Sequence, residues 1–159
     1  MAIQVGEKLP AGKLKFMNEE GKPTDLDIGE LTAGKKVVLF AVPGAFTPGC
    51  SVTHLPGFIV LADKIKAKGV SHIVCMSVND AFVMGAWAKA QNAEELILAA
   101  DGSGDYTRAL GLELDARGFG MGMRSKRFAM IVDDGVVKYL GVDEKGIEES
   151  SAEKVLSLL

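Results

Sequence analysis

Cysteine, histidine and tryptophan are scarce in this sequence: its 159 residues include two Cys, two His and one Trp. Two cysteines cannot build a disulfide framework, so we expect free thiols and a reducing, cytoplasmic compartment. The possible metal ligands form two pairs, Cys50 with His54 and His72 with Cys75. His72 and Cys75 lie three residues apart on a predicted strand and therefore point to opposite faces, so no metal site is expected.

The chain also lacks an excess of positive charge and any long apolar run. Eighteen basic and 21 acidic residues give a formal net charge of −3, so no positive field is available to hold nucleic acid or an anionic membrane. The longest apolar stretch, Val37–Val42, is far too short to span a bilayer. The N-terminus has no basic segment followed by an apolar one, which a secretory signal requires. We therefore expect neither nucleic acid nor a membrane as partner.

The pattern of apolar residues predicts alternating strands and helices. No repeat, low-complexity block or linker divides the sequence, so residues 1–159 are expected to form one domain. Strands are predicted from near-continuous apolar runs, and helices from apolar residues spaced three and four apart. The strands are expected at Lys36–Val42, Val70–Val78 and Leu96–Ala100, and the helices at about Cys50–Lys68, after the N-cap Asn79-Asp80, and around Tyr106–Leu112.

Turn and capping signals complete the predicted layout. Residues 12–24 suggest a small hairpin, and Asp134-Gly135 predicts a second one between Phe128–Asp133 and Val136–Val142. Ser150 and Glu153 have the spacing of a capping box that opens the last helix. The order β-α-β-α-β-(α)-β-β-α predicts an α/β, thioredoxin-like fold, whose central mixed sheet has helices on both faces.

Cys50 occupies the position best suited to chemistry. It follows a buried strand and begins a helix, where backbone N–H groups and the positive end of the helix dipole favour a thiolate. Pro43 and Pro48 stiffen the approach, and the Thr47 hydroxyl lies where it can donate to the thiolate or to a bound oxygen. The alternative interpretation is a buried small residue at Cys50 and a helix cap at Thr47. The strand–proline–helix setting favours the reactive thiol.

Pro43, Thr47 and Cys50 also fit the pattern Pro-x-x-x-Thr/Ser-x-x-Cys. With the longer segment Ala41–Phe58, this resembles the peroxiredoxins, and specifically their peroxiredoxin-5, or type II, subfamily. The likeness continues through residues 77–84, 109–115 and 124–135, and so covers nearly the whole chain.

The resemblance implies a thiol peroxidase with no bound cofactor. Cys50 would attack a hydrogen peroxide or organic hydroperoxide, release water or an alcohol, and become a sulfenic acid. The family likeness places Thr47, Arg127 and the backbone N–H groups of Gly49 and Cys50 around the reacting atoms, with Pro43 as a shield. We expect Gly44, Phe46, Gly49 and His54, which lies one helical turn after Cys50, to line the substrate pocket. It also implies a homodimer.

The second cysteine bears on the reductant. Some members of the subfamily carry a resolving cysteine just before the last helix, but residues 146–153 contain none. Cys75 lies inside a predicted strand, and a disulfide needs Cα atoms within about 7 Å. We therefore expect Cys75 to be a core residue, and the sulfenic acid to be reduced by glutathione, with or without glutaredoxin. A thioredoxin-dependent peroxidase, with Cys75 as resolving thiol, is the alternative.

Two other functions could use a reactive cysteine at this position. A Cys50–His54 dyad for acyl transfer is disfavoured, because no third residue that would orient the base is evident. A redox sensor on the same fold, in which Cys50 is oxidised without turnover, stays open.

Overall fold

Residues 2–159, which the computed structural model describes, contain nine strands, five α-helices and two short turns of other helix types. The strands are β1 (Lys13–Met17), β2 (Pro23–Asp27), β3 (Lys36–Ala41), β4 (Val70–Ser77), β5 (Ile97–Ala100), β6 (Glu113–Asp115), β7 (Met123–Ser125), β8 (Arg127–Asp133) and β9 (Val136–Asp143). The helices are α1 (Ile28–Thr32), α2 (Leu55–Lys66), α3 (Ala81–Gln91), α4 (Asp105–Leu110) and α5 (Ala152–Ser157). A π-helical turn, Cys50–His54, leads into α2, and a 3₁₀ turn spans Arg117–Phe119.

Seven of these strands form one mixed sheet in the order β2-β1-β5-β4-β3-β8-β9. The central strand β3 pairs in parallel with β4 and antiparallel with β8, and β4 pairs in parallel with β5. This confirms the predicted mixed sheet and the thioredoxin-like α/β fold. The predicted hairpins are present as β1–β2 and β8–β9.

Both faces of the sheet are buried, and β3 contributes side chains to the core on each face. Because successive side chains of a strand point to opposite faces, Val38 and Phe40 join one core cluster, while Val37 and Leu39 join the other. The first cluster includes the apolar face of α2, where the Phe58 ring stacks on Phe40 with centroids 3.9 Å apart. Burying an aromatic side chain of this kind stabilises the fold by about 1.5–3 kcal/mol.

The last helix begins one residue later than its sequence pattern indicates. Ser151 is the N-cap, and its hydroxyl accepts a hydrogen bond from the Lys154 N–H at 3.1 Å. The Ser150 hydroxyl instead donates to Asp143, so the prediction of a capping box between Ser150 and Glu153 is wrong. The two-stranded sheet β6–β7 was not predicted, since strands of three residues carry too little alternation to recognise.

The register of the sheet brings distant parts of the chain to one edge. β3 and β8 run antiparallel with Ala41 opposite Phe128, so Arg127, the first residue of β8, lies beside the point where the chain leaves β3. The chain then turns through residues 42–47 into a helical segment that begins at Pro48 and includes the π-helical turn Cys50–His54.

No helix in residues 2–159 combines the length and apolar character needed to cross a membrane.

Candidate active site

The segment between β3 and the π-helical turn is held in shape by other parts of the chain. The Asn79 side-chain oxygen accepts a hydrogen bond from the Ala45 N–H at 3.0 Å. Arg124 donates to the Pro43 carbonyl at 3.3 Å. Phe46 has a left-handed φ of 64°, a conformation that costs a non-glycine residue about 1 kcal/mol or more. Tertiary contacts therefore impose the shape of this loop.

Gly44 is closely surrounded by three side chains. A Cβ at this position would lie 3.0 Å from Cγ2 of Thr47 and 3.1 Å from both Nη1 of Arg124 and Cε of Met121. The Thr47 hydroxyl donates to the Gly44 carbonyl at 2.7 Å, and the Thr47 carbonyl accepts from the Ser51 N–H at 2.9 Å. Thr47 thus closes the loop and starts the helical segment.

Cys50 lies at the bottom of this arrangement. It is the first residue of the π-helical turn, its side chain is fully buried, and it belongs to the same core cluster as Phe40. The Arg127 guanidinium donates from Nη2 to the Cys50 sulfur at 3.3 Å. Because a guanidinium always carries its positive charge, this contact stabilises a negatively charged sulfur.

His54 binds the other side of the same guanidinium. Its Nδ1 lies 2.9 Å from Nη1 of Arg127, and its Nε2 lies 2.8 Å from the Ser150 carbonyl oxygen. A guanidinium has only donors and a carbonyl has only lone pairs, so Nδ1 accepts and Nε2 carries the proton. The tautomer of the His54 ring is therefore fixed by its two neighbours.

The His54 side chain is also kept neutral, because its pKa is lowered to about 4. Burial is the largest cause and the nearby Arg127 charge adds to it, while the hydrogen bond to Ser150 and the charge of Asp143 partly oppose the shift. The Nδ1 lone pair is occupied by Arg127, which lies between His54 and the Cys50 sulfur. His54 therefore does not form the base of a Cys–His dyad.

A cavity of about 530 Å³ opens beside the site. Pro43, Gly49 and Arg127 line it on the side of Cys50. Its other walls are formed by Leu114, Lys126 and the loop from Asp143 to Ile147. The other residues predicted to line the pocket lie elsewhere. Gly44 is packed under Thr47, His54 is buried behind Arg127, and the Phe46 side chain is 54% exposed, with its ring centroid 6.4 Å from that of Trp87.

Cys75 lies in the core beneath the site. It is the β4 partner of Phe40 in the sheet, is fully buried, and shares a core cluster with Cys50. Both cysteines are free thiols. Burial raises the pKa of Cys75 well above its ordinary value, so this thiol stays protonated.

Residues 2–159 contain no group of three or more His, Cys, Asp or Glu placed to hold a metal ion.

Three residues of the site, Asn79, Arg124 and Ser150, were not predicted from the sequence. Asn79 precedes a helix and looks like part of its cap, and Arg124 sits in a short charged stretch. Ser150 contributes a backbone carbonyl, which no residue type identifies. Only the resemblance of the surrounding segments could have indicated the first two.

A thioredoxin-like sheet that presents a cysteine at the start of a helix, with a fixed cation on its sulfur, is an arrangement suited to thiol-based redox enzymes. The redoxin family model matches residues 4–156, and the chain belongs to that family.

Relatives within the family are peroxiredoxins. The chain is 48% identical to Peroxiredoxin-2B of Arabidopsis thaliana, over 99% of this chain and 98% of that protein. It is 50% identical to the chloroplastic Peroxiredoxin-2E-2 of Oryza sativa subsp. japonica, over 99% of this chain and 72% of that one. A crystal structure of reduced Prx3 from Vibrio vulnificus in complex with hydrogen peroxide superposes with a TM-score of 0.94 at 57% identity, covering 98% of each chain. The resemblance to type II peroxiredoxins is confirmed, and the activity is that of a thiol peroxidase.

Proposed function

We propose that Cys50 is the nucleophile with which this peroxidase reduces hydrogen peroxide and organic hydroperoxides. The observation that carries this assignment is the Arg127 guanidinium at 3.3 Å from the Cys50 sulfur. The thiolate attacks one peroxide oxygen, and the O–O bond breaks. The leaving oxygen takes up a proton and departs as water or an alcohol, and Cys50 retains the other oxygen as a sulfenic acid.

The neighbouring groups receive roles that follow from their positions. Arg127 stabilises the thiolate, and its donors also serve the negative charge that develops on the leaving oxygen. The Thr47 hydroxyl donates to the Gly44 carbonyl, which leaves its own lone pairs free to accept a hydrogen bond from the peroxide O–H. Pro43 lines the cavity and limits access of water to the reacting atoms.

We propose glutathione, alone or with glutaredoxin, as the reductant, and the cavity of about 530 Å³ as the feature that favours it. Glutathione has a carboxylate at each end, an ammonium group at one end and its thiol in the middle. Lys126 and Lys145 in the cavity wall suit the carboxylates, and Glu144 suits the ammonium group.

In the second half of the cycle, the Cys50 sulfenic acid is reduced back to the thiol without a bound cofactor. A glutathione thiolate attacks the Cys50 sulfur of the sulfenic acid and releases water, which gives a mixed disulfide. A second glutathione thiolate attacks the glutathione sulfur of that disulfide, which releases the Cys50 thiol and gives oxidised glutathione. When glutaredoxin attacks that sulfur instead, the Cys50 thiol is released and glutaredoxin carries the glutathione as its own mixed disulfide. Because Cys75 is buried and its thiol stays protonated, we assign it no step in this cycle. A reducing, cytoplasmic compartment, in which both free thiols persist, suits this chemistry.

The test is hydrogen peroxide consumption with three reductants. One reaction contains glutathione, glutathione reductase and NADPH, the second adds glutaredoxin, and the third contains thioredoxin, thioredoxin reductase and NADPH. Turnover in either of the first two supports the proposal. Turnover with thioredoxin alone would replace glutathione by the thioredoxin-dependent alternative. One equivalent of peroxide consumed without turnover in any reaction would favour the redox sensor.

We also propose a homodimer that packs through loops around the site. Large apolar side chains are exposed on segments that include or contact the loop of residues 43–50: Phe46, Val52, Phe82, Phe119 and Met123. Residues of this size are seldom left grouped in water unless another surface covers them. Sedimentation velocity tests this, with Val52→Asp expected to give a monomer. Val60→Asp is the matched control, because Val60 is equally exposed (78% against 75% for Val52) but lies on α2. A dimer that survives Val52→Asp would contradict the proposed surface.

A further inference from the structure

Asp143 and Arg127 face each other across the sheet without forming an ion pair. They are direct cross-strand partners in the β8–β9 register. Opposite charges at such a position ordinarily attract, and an Arg–carboxylate pair is among the strongest polar contacts available. Here, however, the Arg127 guanidinium is directed to His54 and Cys50.

The Asp143 carboxylate is occupied by the loop that follows it. It accepts hydrogen bonds from the backbone N–H groups of Glu148 at 3.0 Å, Glu149 at 3.1 Å and Ser150 at 2.8 Å, and from the Ser150 hydroxyl at 2.7 Å. Partial burial raises the pKa of Asp143, but these hydrogen bonds outweigh burial and leave it below its ordinary value. The carboxylate is therefore ionised and saturated at neutral pH.

Closure of this loop places the carbonyl that His54 needs. The Ser150 oxygen accepts the Nε2 proton of His54 at 2.8 Å, which leaves Nδ1 free to accept from Arg127 at 2.9 Å. The other arm of Arg127 then reaches the Cys50 sulfur. Ser150, His54 and Arg127 thus link the Asp143 carboxylate to the sulfur, each of them hydrogen-bonded to the next.

We propose that Asp143 is a positioning residue for the peroxidase reaction: by gathering the N–H groups of residues 148–150, it holds the Ser150 carbonyl on His54 and keeps Arg127 turned toward Cys50. The hydrogen bonds between Asp143 and residues 148–150 have two effects. They fix the His54 tautomer that accepts from Arg127, and they occupy the carboxylate oxygens that would otherwise pair with Arg127 across the sheet.

Asp143→Asn tests the proposal, because it keeps the size of the side chain but replaces an acceptor oxygen by a donor NH₂ group. We expect the second-order rate constant for hydrogen peroxide, measured by stopped flow on the reduced enzyme, to fall by about tenfold, a partial loss of what one transition-state donor provides. Glu148→Gln is the matched control. It removes the same charge from the same loop, but only the backbone of Glu148 contacts Asp143. An unchanged rate in Asp143→Asn, or an equal loss in Glu148→Gln, would overturn the proposal.

A double-mutant cycle separates positioning from general destabilisation. If Asp143 acts through Arg127, Asp143→Asn should cost less than about twofold when Arg127 is already alanine, because the two effects are not additive along one pathway. An undiminished tenfold loss in that background would contradict the proposed route. The ¹⁵N chemical shifts of His54 give a second readout, since Asp143→Asn should weaken its fixed Nε2-protonated form.

Ser150→Ala covers the case in which Asp143→Asn does not fold. It removes only the hydroxyl donor and keeps the carbonyl that His54 uses. We expect a smaller loss of peroxide reactivity, about twofold to fivefold, with the same dependence on Arg127. No loss in Ser150→Ala, with His54 shifts like those of the wild type, would then count against the proposal.

Discussion

Arg127 and Cys50, 77 residues apart in the chain, meet with Nη2 of the arginine 3.3 Å from the sulfur. The contact follows from the sheet. β3 delivers the chain to the loop before Cys50, and the antiparallel register of β8 puts Arg127 at the same edge. His54 accepts a hydrogen bond from the other terminal nitrogen of the guanidinium, Nη1, and this contact fixes the orientation of Arg127 toward the thiol.

Cys50→Ser should abolish peroxide turnover and leave the fold intact, because an alcohol does not attack peroxide at a useful rate. The serine is close to isosteric and the site is already buried. Peroxide consumption with each reductant measures the activity, and circular dichroism checks the fold. Turnover at the wild-type rate in Cys50→Ser would refute the assignment of the nucleophile.

Arg127→Ala should slow the reaction of Cys50 with hydrogen peroxide by roughly tenfold to a hundredfold, since it removes a charged donor from the sulfur and from the transition state. The measurement is the second-order rate constant of the reduced enzyme. Arg108→Ala provides the control, because Arg108 is a half-exposed arginine on α4 paired with Asp105. Equal rates in the two variants would mean that Arg127 contributes nothing to the chemistry.

His54 should make the protein less stable in acid. Its pKa is about 4 in the folded protein and 6.5 in a model peptide, so between these values the unfolded chain binds a proton that the folded one does not. The free energy of unfolding should therefore fall as the pH decreases from 6.5 to 4, by about 3 kcal/mol in total, and this loss should be complete below pH 4.

His54→Gln isolates this effect from other titrating groups such as His72. The glutamine amide is neutral at every pH and can still donate to the Ser150 carbonyl. Urea denaturation of both proteins at pH 4, 5, 6 and 7 gives the comparison. Parallel pH profiles for wild type and His54→Gln would show that His54 ionises normally in the fold.

Asn79→Ala should loosen the loop that precedes Cys50. It leaves the Ala45 N–H and the Ser77 hydroxyl without their acceptor, which costs about 1–3 kcal/mol of stability. The rate at which Cys50 reacts with peroxide should also fall in Asn79→Ala, because the same loop carries Pro43 and Thr47. Asn79→Asp keeps an acceptor oxygen and should retain most of both properties. If Asn79→Asp is as impaired as Asn79→Ala, the hydrogen bonds to the loop are not the cause.

Cys75→Ser should retain turnover with glutathione, although a hydroxyl in this apolar site lowers stability by roughly 1–3 kcal/mol. Intact-mass analysis of the wild type after one equivalent of peroxide shows which thiol takes part. A mixed disulfide with added glutathione is the expected product. A loss of two mass units without that adduct would instead mean an intramolecular disulfide between Cys50 and Cys75.

The sequence by itself determined the α/β layout, the hairpins and the position of Cys50 at a helix start. These features are local: periodic burial defines each strand and helix, and the Asp134-Gly135 turn adopts left-handed φ values that such a pair tolerates. The resemblance of Pro43, Thr47 and Cys50 to the peroxiredoxin pattern added the family, which the relatives confirm.

Only the tertiary structure decided what surrounds the thiol. The Thr47 hydroxyl donates to the Gly44 carbonyl, and His54 accepts from Arg127. The Asp143 carboxylate binds the loop of residues 148–150 instead of pairing with its cross-strand partner Arg127. These hydrogen-bond partners depend on competition among donors and acceptors from segments far apart in the chain. One of them is the backbone carbonyl of Ser150, which no residue type identifies. Sheet register and loop closure settle that competition, because they fix which partners come within hydrogen-bonding distance.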